Sequence, residues 1–223
     1  MSNLQKRILT SIIIFPLSIF FVFQGGYLLL TFLFVVFFIA NYELFSVFKK
    51  NSTILSLDLI LILSLFSIYY LRDHSSLSFK LLIWFITLTI CSDVGGYVFG
   101  KVFKWKKLTK ISPKKTLSGA LGSFIFSLLS IFIANEILPI IEDRFLETSS
   151  FVNFLDPKFF FLAIILSLTA QIGDLTISYF KRKEKIKDTG IVLPGHGGIF
   201  DRIDGLIFVS ILTLILIKLN FIP

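Results

Sequence analysis

Cysteine is almost absent: Cys91 stands alone in 223 residues, so no disulfide can form within the chain. Histidine is nearly as scarce, with only His74 and His196. These three residues cannot build a tetrahedral zinc site of the cysteine/histidine kind in one chain. Any metal must be held mainly by oxygen, which points to a hard, Mg²⁺-like cation. Acids are few as well, 14 against 22 Lys and Arg, and charged residues make up 16% of the chain. Soluble domains carry about 25%, so a soluble globular enzyme is effectively excluded. The 55% hydrophobic content excludes disorder. Also lacking are a Pro/Ser-rich linker, a low-complexity tail and an internal repeat. We therefore expect a single integral membrane domain over 1–223, with N-terminal spans over 1–76 and the spans and loops that carry chemistry over 77–223.

What is abundant is apolar length. A spanning helix needs about 20 mostly apolar residues. Seven segments qualify or nearly qualify: 8–23, 27–48, 53–71, 77–100, 117–139, 158–178 and 203–220. The expected fold is all-α and polytopic, about seven transmembrane helices with two basic cytoplasmic loops at 101–116 and 179–202. The first segment is short and follows Lys6 and Arg7, as a signal peptide would. It has no small-x-small cleavage site, only Gln24-Gly25-Gly26 and another apolar run, so it reads as a retained span that turns at the glycines.

Positive charge orients such a bundle. With the N-terminus in the cytoplasm, alternation puts seventeen of the 22 basic residues on that side. The opposite side receives 136–157, where Glu136, Glu142, Asp143, Glu147 and Asp156 face Arg144 alone. His74, beside Arg72 and Asp73, falls in a short outer loop and reads as solvated.

Ionisable groups at membrane depth are costly and usually face the bundle interior or a water-filled cavity. Glu43 and Asp58 lie near the cytoplasmic ends of the second and third spans, where reaching the headgroups or pairing with a lysine would also explain them. Asp93 and Asp174 are stronger candidates, because each lies in the last turns of a span that leads into a basic loop. Asp201 and Asp204 form the sharpest pair, three residues apart and so on one helix face. Two carboxylates there repel unless a cation lies between them. Helix capping and the helix dipole explain one such acid well but not both, so metal ligation is the stronger reading.

The basic loops offer anion binding. Ser112-Pro113-Lys114-Lys115-Thr116 precedes a span that opens Ser118-Gly119, and helix N-termini attract phosphate. Ordinary attraction to anionic lipid covers Lys104 to Lys110, but the Ser-Pro-Lys-Lys-Thr cluster less well. Gly95-x₄-Gly100-Lys101 looks like a P-loop, yet Val102 follows and the segment ends a membrane helix, so close helix packing or ligand approach is the better reading. His196, in Pro194-Gly195-His196-Gly197-Gly198, could be a phosphate contact, an acid/base or a turn anchor.

Residues 178–204 resemble the C-terminal signature of the phosphatidate cytidylyltransferases, or CDP-diacylglycerol synthases. Ser178, Lys181, Arg182, Lys187, Asp188, Pro194, His196, Gly197, Gly198, Asp201, Arg202 and Asp204 fill its fixed positions. Upstream, Asp93-Val94-Gly95-Gly96-Tyr97, Ser112 to Thr116 and Gln171-Ile172-Gly173-Asp174-Leu175 are similar to further family motifs. The resemblance covers about 91–205; the N-terminal third matches only in hydrophobicity, and the chain is short for the family. It departs where many members read Thr-Trp-Glu-Gly, here Thr116-Leu117-Ser118-Gly119, and where many carry Glu three residues after Asp174, here Ile177.

The resemblance implies transfer of CMP from CTP to phosphatidate, giving CDP-diacylglycerol and pyrophosphate, at the cytoplasmic face of a bacterial inner membrane. It implies Mg²⁺, with a second cation open, on Asp201, Asp204 and Asp174, and roles for Lys187 and Asp188 in catalysis. Lys114, Lys115, Lys181, Arg182 and Arg202 would hold phosphates, Thr116 and Ser178 would donate hydroxyls, and His196, Gly197, Gly198 and Asp93 would complete the substrate site. Expected partners are CTP, phosphatidate and membrane lipids, with a homodimer open and no nucleic acid. A related CTP-using enzyme with another lipid acceptor, or a carrier, would share some of these features, but a carrier typically shows repeats or paired broken helices.

Overall fold

The computed structural model describes residues 3–145, 152–190, 192–193 and 197–222. Seven helices form among them: α1 (Asn3–Gln24), α2 (Gly26–Val47), α3 (Asn51–Asp73), α4 (Ser76–Phe103), α5 (Leu117–Phe145), α6 (Pro157–Lys183) and α7 (Phe200–Lys218). No strand forms among the described residues beyond two isolated bridges, Lys107 with Thr116 and Leu193 with Gly197. The all-α membrane fold expected from the apolar runs is the fold observed.

Among the described residues, five helices are long and apolar enough to cross a membrane: α2, α3, α4, Leu117–Ile141 of α5, and α6. The first and last segments differ from the other five. The apolar stretch of α1 is the shorter Leu9–Gln24. Helix α7 has 19 residues and begins three residues earlier than expected, so Asp201, Arg202 and Asp204 lie inside its first turns.

Local chemistry sets the boundaries. Gly25 and Gly26 take φ of +65° and +52°, which turns the chain between α1 and α2. The turn is clamped from α3. Arg72 donates to the carbonyls of Val22 and Phe23 at 2.7 and 2.6 Å, while Asp73 accepts from Gly26 N at 3.0 Å. One cation and one anion thus satisfy the end of one helix and the start of the next. His74 is exposed and stacks on Tyr70. A Ser75/Ser78 capping box starts α4, and Asp156 caps α6 with Pro157 at its first position.

Alternation gathers the starts of α1, α3, α5 and α7 and the ends of α2, α4 and α6 at one end, with the two basic loops. The core divides accordingly. A large cluster including Leu29, Leu71, Phe79, Trp84, Phe85, Phe154 and Phe159 fills the opposite end. A smaller one, including Leu44, Phe48, Leu57, Ile177, Phe200 and Ile207, lies beneath the loops. Serine pairs cross helices at Ser64–Ser210 and Ser92–Ser167, each at 2.9 Å.

The closest seam joins α4 to α5. A Cβ at Gly95 would run into the carbonyl oxygen of Gly122, and one at Gly122 into that of Gly95; Gly119 meets Gly96 O in the same way. The small residues that mimic a P-loop thus pack helices, as small residues do in membranes. Ser123 adds a 2.8 Å hydrogen bond to Ser92 O. We expect Gly95→Leu to force these backbones apart, at a cost of about 1–3 kcal/mol or more, whereas Val94→Leu on the exposed face should be neutral. Thermal unfolding in detergent checks both.

Candidate active site

The first basic loop, between α4 and α5, is a short hairpin. Leu108 N donates to Lys115 O at 2.8 Å and Leu117 N to Lys106 O at 3.0 Å. Thr116 caps α5, its Oγ1 accepting from Gly119 N at 3.1 Å and pairing with Ser118 Oγ at 3.0 Å. Ser118 in turn accepts from Trp105 N at 3.4 Å. The Thr116 hydroxyl expected for substrate is thus engaged in holding the helix start, and Lys114 and Lys115 are presented just ahead of it. Lys114 is exposed. Lys115 reaches across to α6 and pairs with Asp174 at 2.5 Å. A hollow of about 440 Å³ lined by Lys107, Leu108, Thr109, Lys110 and Pro113 lies on this loop but contains none of the acids.

Helix α6 presents Asp174, Ser178, Lys181 and Arg182 on consecutive turns. Ser178 Oγ donates to Asp174 Oδ1 at 3.3 Å. Arg182 joins the two loops, donating to Ile186 O at 2.9 Å and Ile111 O at 3.5 Å. At Gly173 a Cβ would fall 2.6 Å from the Phe208 ring and 3.0 Å from Asp204 O. The missing side chain lets α7 approach closely enough to bring Asp204 beside Asp174.

Asp201 and Asp204 share a helix face in sequence but do different work. Asp201 Oδ1 accepts from Lys181 Nζ at 2.6 Å, with the two side chains only 6% and 10% exposed. Asp201 Oδ2 accepts from Thr189 N at 2.8 Å and Gly198 N at 3.2 Å. Both oxygens are therefore occupied: Oδ1 ties α7 to the end of α6, and Oδ2 fastens the second loop, between α6 and α7, to α7. Gly197, at φ +90°, exchanges backbone hydrogen bonds with Leu193. Lys187, Asp188 and Arg202 are exposed around this loop. His196, Pro194 and Gly195 lie outside the described residues.

Asp204 Oδ1 accepts from Gly205 N at 2.8 Å. Its charge interacts with those of Asp174 and Asp93, and Asp93 in turn feels Lys115 and Arg202. Asp93, Asp174 and Asp204 are thus close enough to feel one another's charge, with Lys115 paired to Asp174 and the charges of Arg202 and Lys181 nearby. Among the described residues no three acids, histidines or cysteines converge tightly enough to hold a metal unaided. The donor set still suits Mg²⁺, which commonly takes one or two carboxylates and completes its shell with water and substrate phosphates.

Glu43 is more deeply involved than its sequence position suggested. It is 1% exposed, and its Oε2 accepts from Ile199 N at 2.8 Å. The signal was there, since a lone acid in an apolar run is unusual, but its partner is 156 residues away. Asp58 is half-buried, and its Oδ1 has no hydrogen-bond partner among the described residues. The two departures from the family pattern are both accounted for by packing: Ser118 closes the first loop, and Ile177 is fully buried in the core beneath the second.

Residues 53–220 match the model of the cytidylyltransferase family. The chain is 38% identical over 138 residues to the phosphatidate cytidylyltransferase of Rickettsia conorii, covering 60% of this chain and 57% of that one. It is 36% identical over 149 residues to the enzyme of that name from Helicobacter pylori, covering 65% and 48%. Over 152 residues it is 36% identical to that of Staphylococcus saprophyticus, covering 67% and 54%. The chain spans about half the length of the relatives it matches. The matched region contains all the residues above except Glu43.

Breaking the buried pair should be costly. Asp201→Asn strands Lys181 in the interior and should destabilise the protein by about 3–5 kcal/mol. Adding Lys181→Met should recover much of that loss, and thermal unfolding of the single and double variants checks the coupling.

Proposed function

Because the chain belongs to the cytidylyltransferase family, we propose that it joins CTP to phosphatidate at the membrane surface, forming CDP-diacylglycerol and releasing pyrophosphate. A phosphate oxygen of phosphatidate forms a new bond to the α-phosphorus of CTP, and the bond from that phosphorus to the β-bridging oxygen breaks. The nucleophile is already ionised, so proton transfer matters little. Positioning and charge neutralisation carry the reaction.

The observation that most supports this reading is the Lys115–Asp174 pair at 2.5 Å. It couples the Ser-Pro-Lys-Lys-Thr loop to the acid group. When a triphosphate arrives, Lys115 can exchange the carboxylate for phosphate oxygen and leave Asp174 available to a cation. Asp174 and Asp204 would hold Mg²⁺ together with substrate phosphates, with Asp93 nearby. Bound there, the ion would neutralise charge on the phosphates. Lys114, Lys187, Arg182 and Arg202, on the two loops and the adjoining helix ends, would serve as phosphate ligands, the guanidinium groups offering paired donors. Ser178, hydrogen-bonded to Asp174, fixes that carboxylate's orientation. Asp188 and Gly197 adjoin each other on the second loop, since a Cβ at Gly197 would lie 3.5 Å from that of Asp188.

The proposed reaction would require the basic end to face the cytoplasm of a bacterial cell, where nucleoside triphosphates are, with the helices in the inner membrane. That orientation agrees with the positive-inside distribution of Lys and Arg. Purified protein should form CDP-diacylglycerol from CTP and phosphatidate only when Mg²⁺ is present. Product formation from labelled CTP measures this; synthesis undiminished by chelation would contradict the cation assignment. Asp174→Asn and Asp204→Asn should each lower kcat by about 100-fold or more, as loss of a charge-stabilising group does, without unfolding the protein. Synthesis retained by both variants would remove the acid group from the mechanism.

A further inference from the structure

We propose that Glu43 is a positioning residue for this reaction: α2 supplies a carboxylate that fixes the second loop, with Lys187, Asp188, Gly197 and Gly198, against the start of α7. The inference rests on the reading above for its catalytic consequence, but its structural basis is independent. Glu43 Oε2 accepts from Ile199 N at 2.8 Å. A Cβ at Gly190 would fall 2.5 Å from Glu43 Cδ and Oε1, and one at Gly198 would fall 2.7 Å from Oε2. The middle of the loop, at Gly190, and its end, at Gly198, therefore close on one side chain. Asp201 fastens neighbouring points, Thr189 N and Gly198 N, from the other side.

Packing alone does not account for an acid here. A leucine would fill similar space with no charge to desolvate. What leucine cannot do is accept the Ile199 N–H and hold a bare backbone at Gly190 and Gly198 in register. Glu43 also lies outside the region matched by the family model, which begins at residue 53. The N-terminal helices would thereby contribute to a site otherwise built by the rest of the chain.

Glu43→Ala, Glu43→Gln, Glu43→Asp and Gly190→Ala, purified in detergent, test this by hydrogen exchange over residues 184–199 and by steady-state kinetics with CTP and phosphatidate. Glu43→Ala should raise exchange in this loop by about 10-fold or more, leave α5 and α6 unchanged, and lower kcat/KM for CTP by about 10- to 100-fold, as expected for losing a hydrogen bond to a charged group. Gly190→Ala should act in the same direction. Glu43→Gln keeps an acceptor within reach of Ile199 and should stay within about threefold of wild type. Glu43→Asp keeps the charge but withdraws the oxygen, and should behave like Glu43→Ala. Unchanged loop exchange in Glu43→Ala, a uniform rise across all helices, or an active Glu43→Asp beside an inactive Glu43→Gln would each overturn the proposal. If Glu43→Ala fails to fold, the Gln and Asp pair decides. Wild-type protein that makes no CDP-diacylglycerol would overturn the assigned reaction and leave the exchange measurements to judge Glu43.

Discussion

The ion pair between Lys181 and Asp201 is the interaction on which the basic end of the molecule depends. A charge removed from water needs a partner and filled hydrogen bonds, and this pair has both. Lys181 occupies one Asp201 oxygen, and two backbone N–H groups occupy the other. Through these bonds the end of α6, the loop beyond it and the start of α7 become one unit. The positions of Lys187, Asp188, Gly197 and Arg202 follow from it, and so does the separation of Asp201 from Asp204. One acid is committed to architecture, which leaves Asp204 to join Asp174 and Asp93.

The helices were legible in the sequence because each apolar run ends on a strong break. Gly25-Gly26, Lys49-Lys50, Asp73-His74 and the lysines after Gly100 stop one span and start the next, and the observed boundaries follow them closely. The start of the last span was less legible, because Phe200 to Gly205 mixes charge with apolar residues and reads equally as loop or helix. The candidate site was legible as a neighbourhood: Asp93, Lys115, Asp174, Ser178, Lys181 and Asp204 lie near one another at one end of the bundle.

Their division of labour was not legible, for a physical reason. An i, i+3 acid pair looks the same whether both acids bind a cation or one fastens a loop. The difference is made by Lys181, 20 residues away, and by amides of Thr189 and Gly198 whose positions depend on the fold. The Thr116 hydroxyl is a similar case, since a helix cap and a phosphate donor require the same residue at the same place. Glu43 is the extreme case, because its partner lies near the other end of the chain.

The glycine seam between α4 and α5 has a consequence for traffic within the bilayer. Where Gly95 and Gly122 bring two backbones into contact, no slot is left for an acyl chain. That flank of the bundle is closed to lipid over the depth of the seam. A two-tailed molecule whose headgroup reaches Asp174 must approach laterally by another flank. The seam that holds α4 against α5 thus also removes one flank from those by which a lipid could enter.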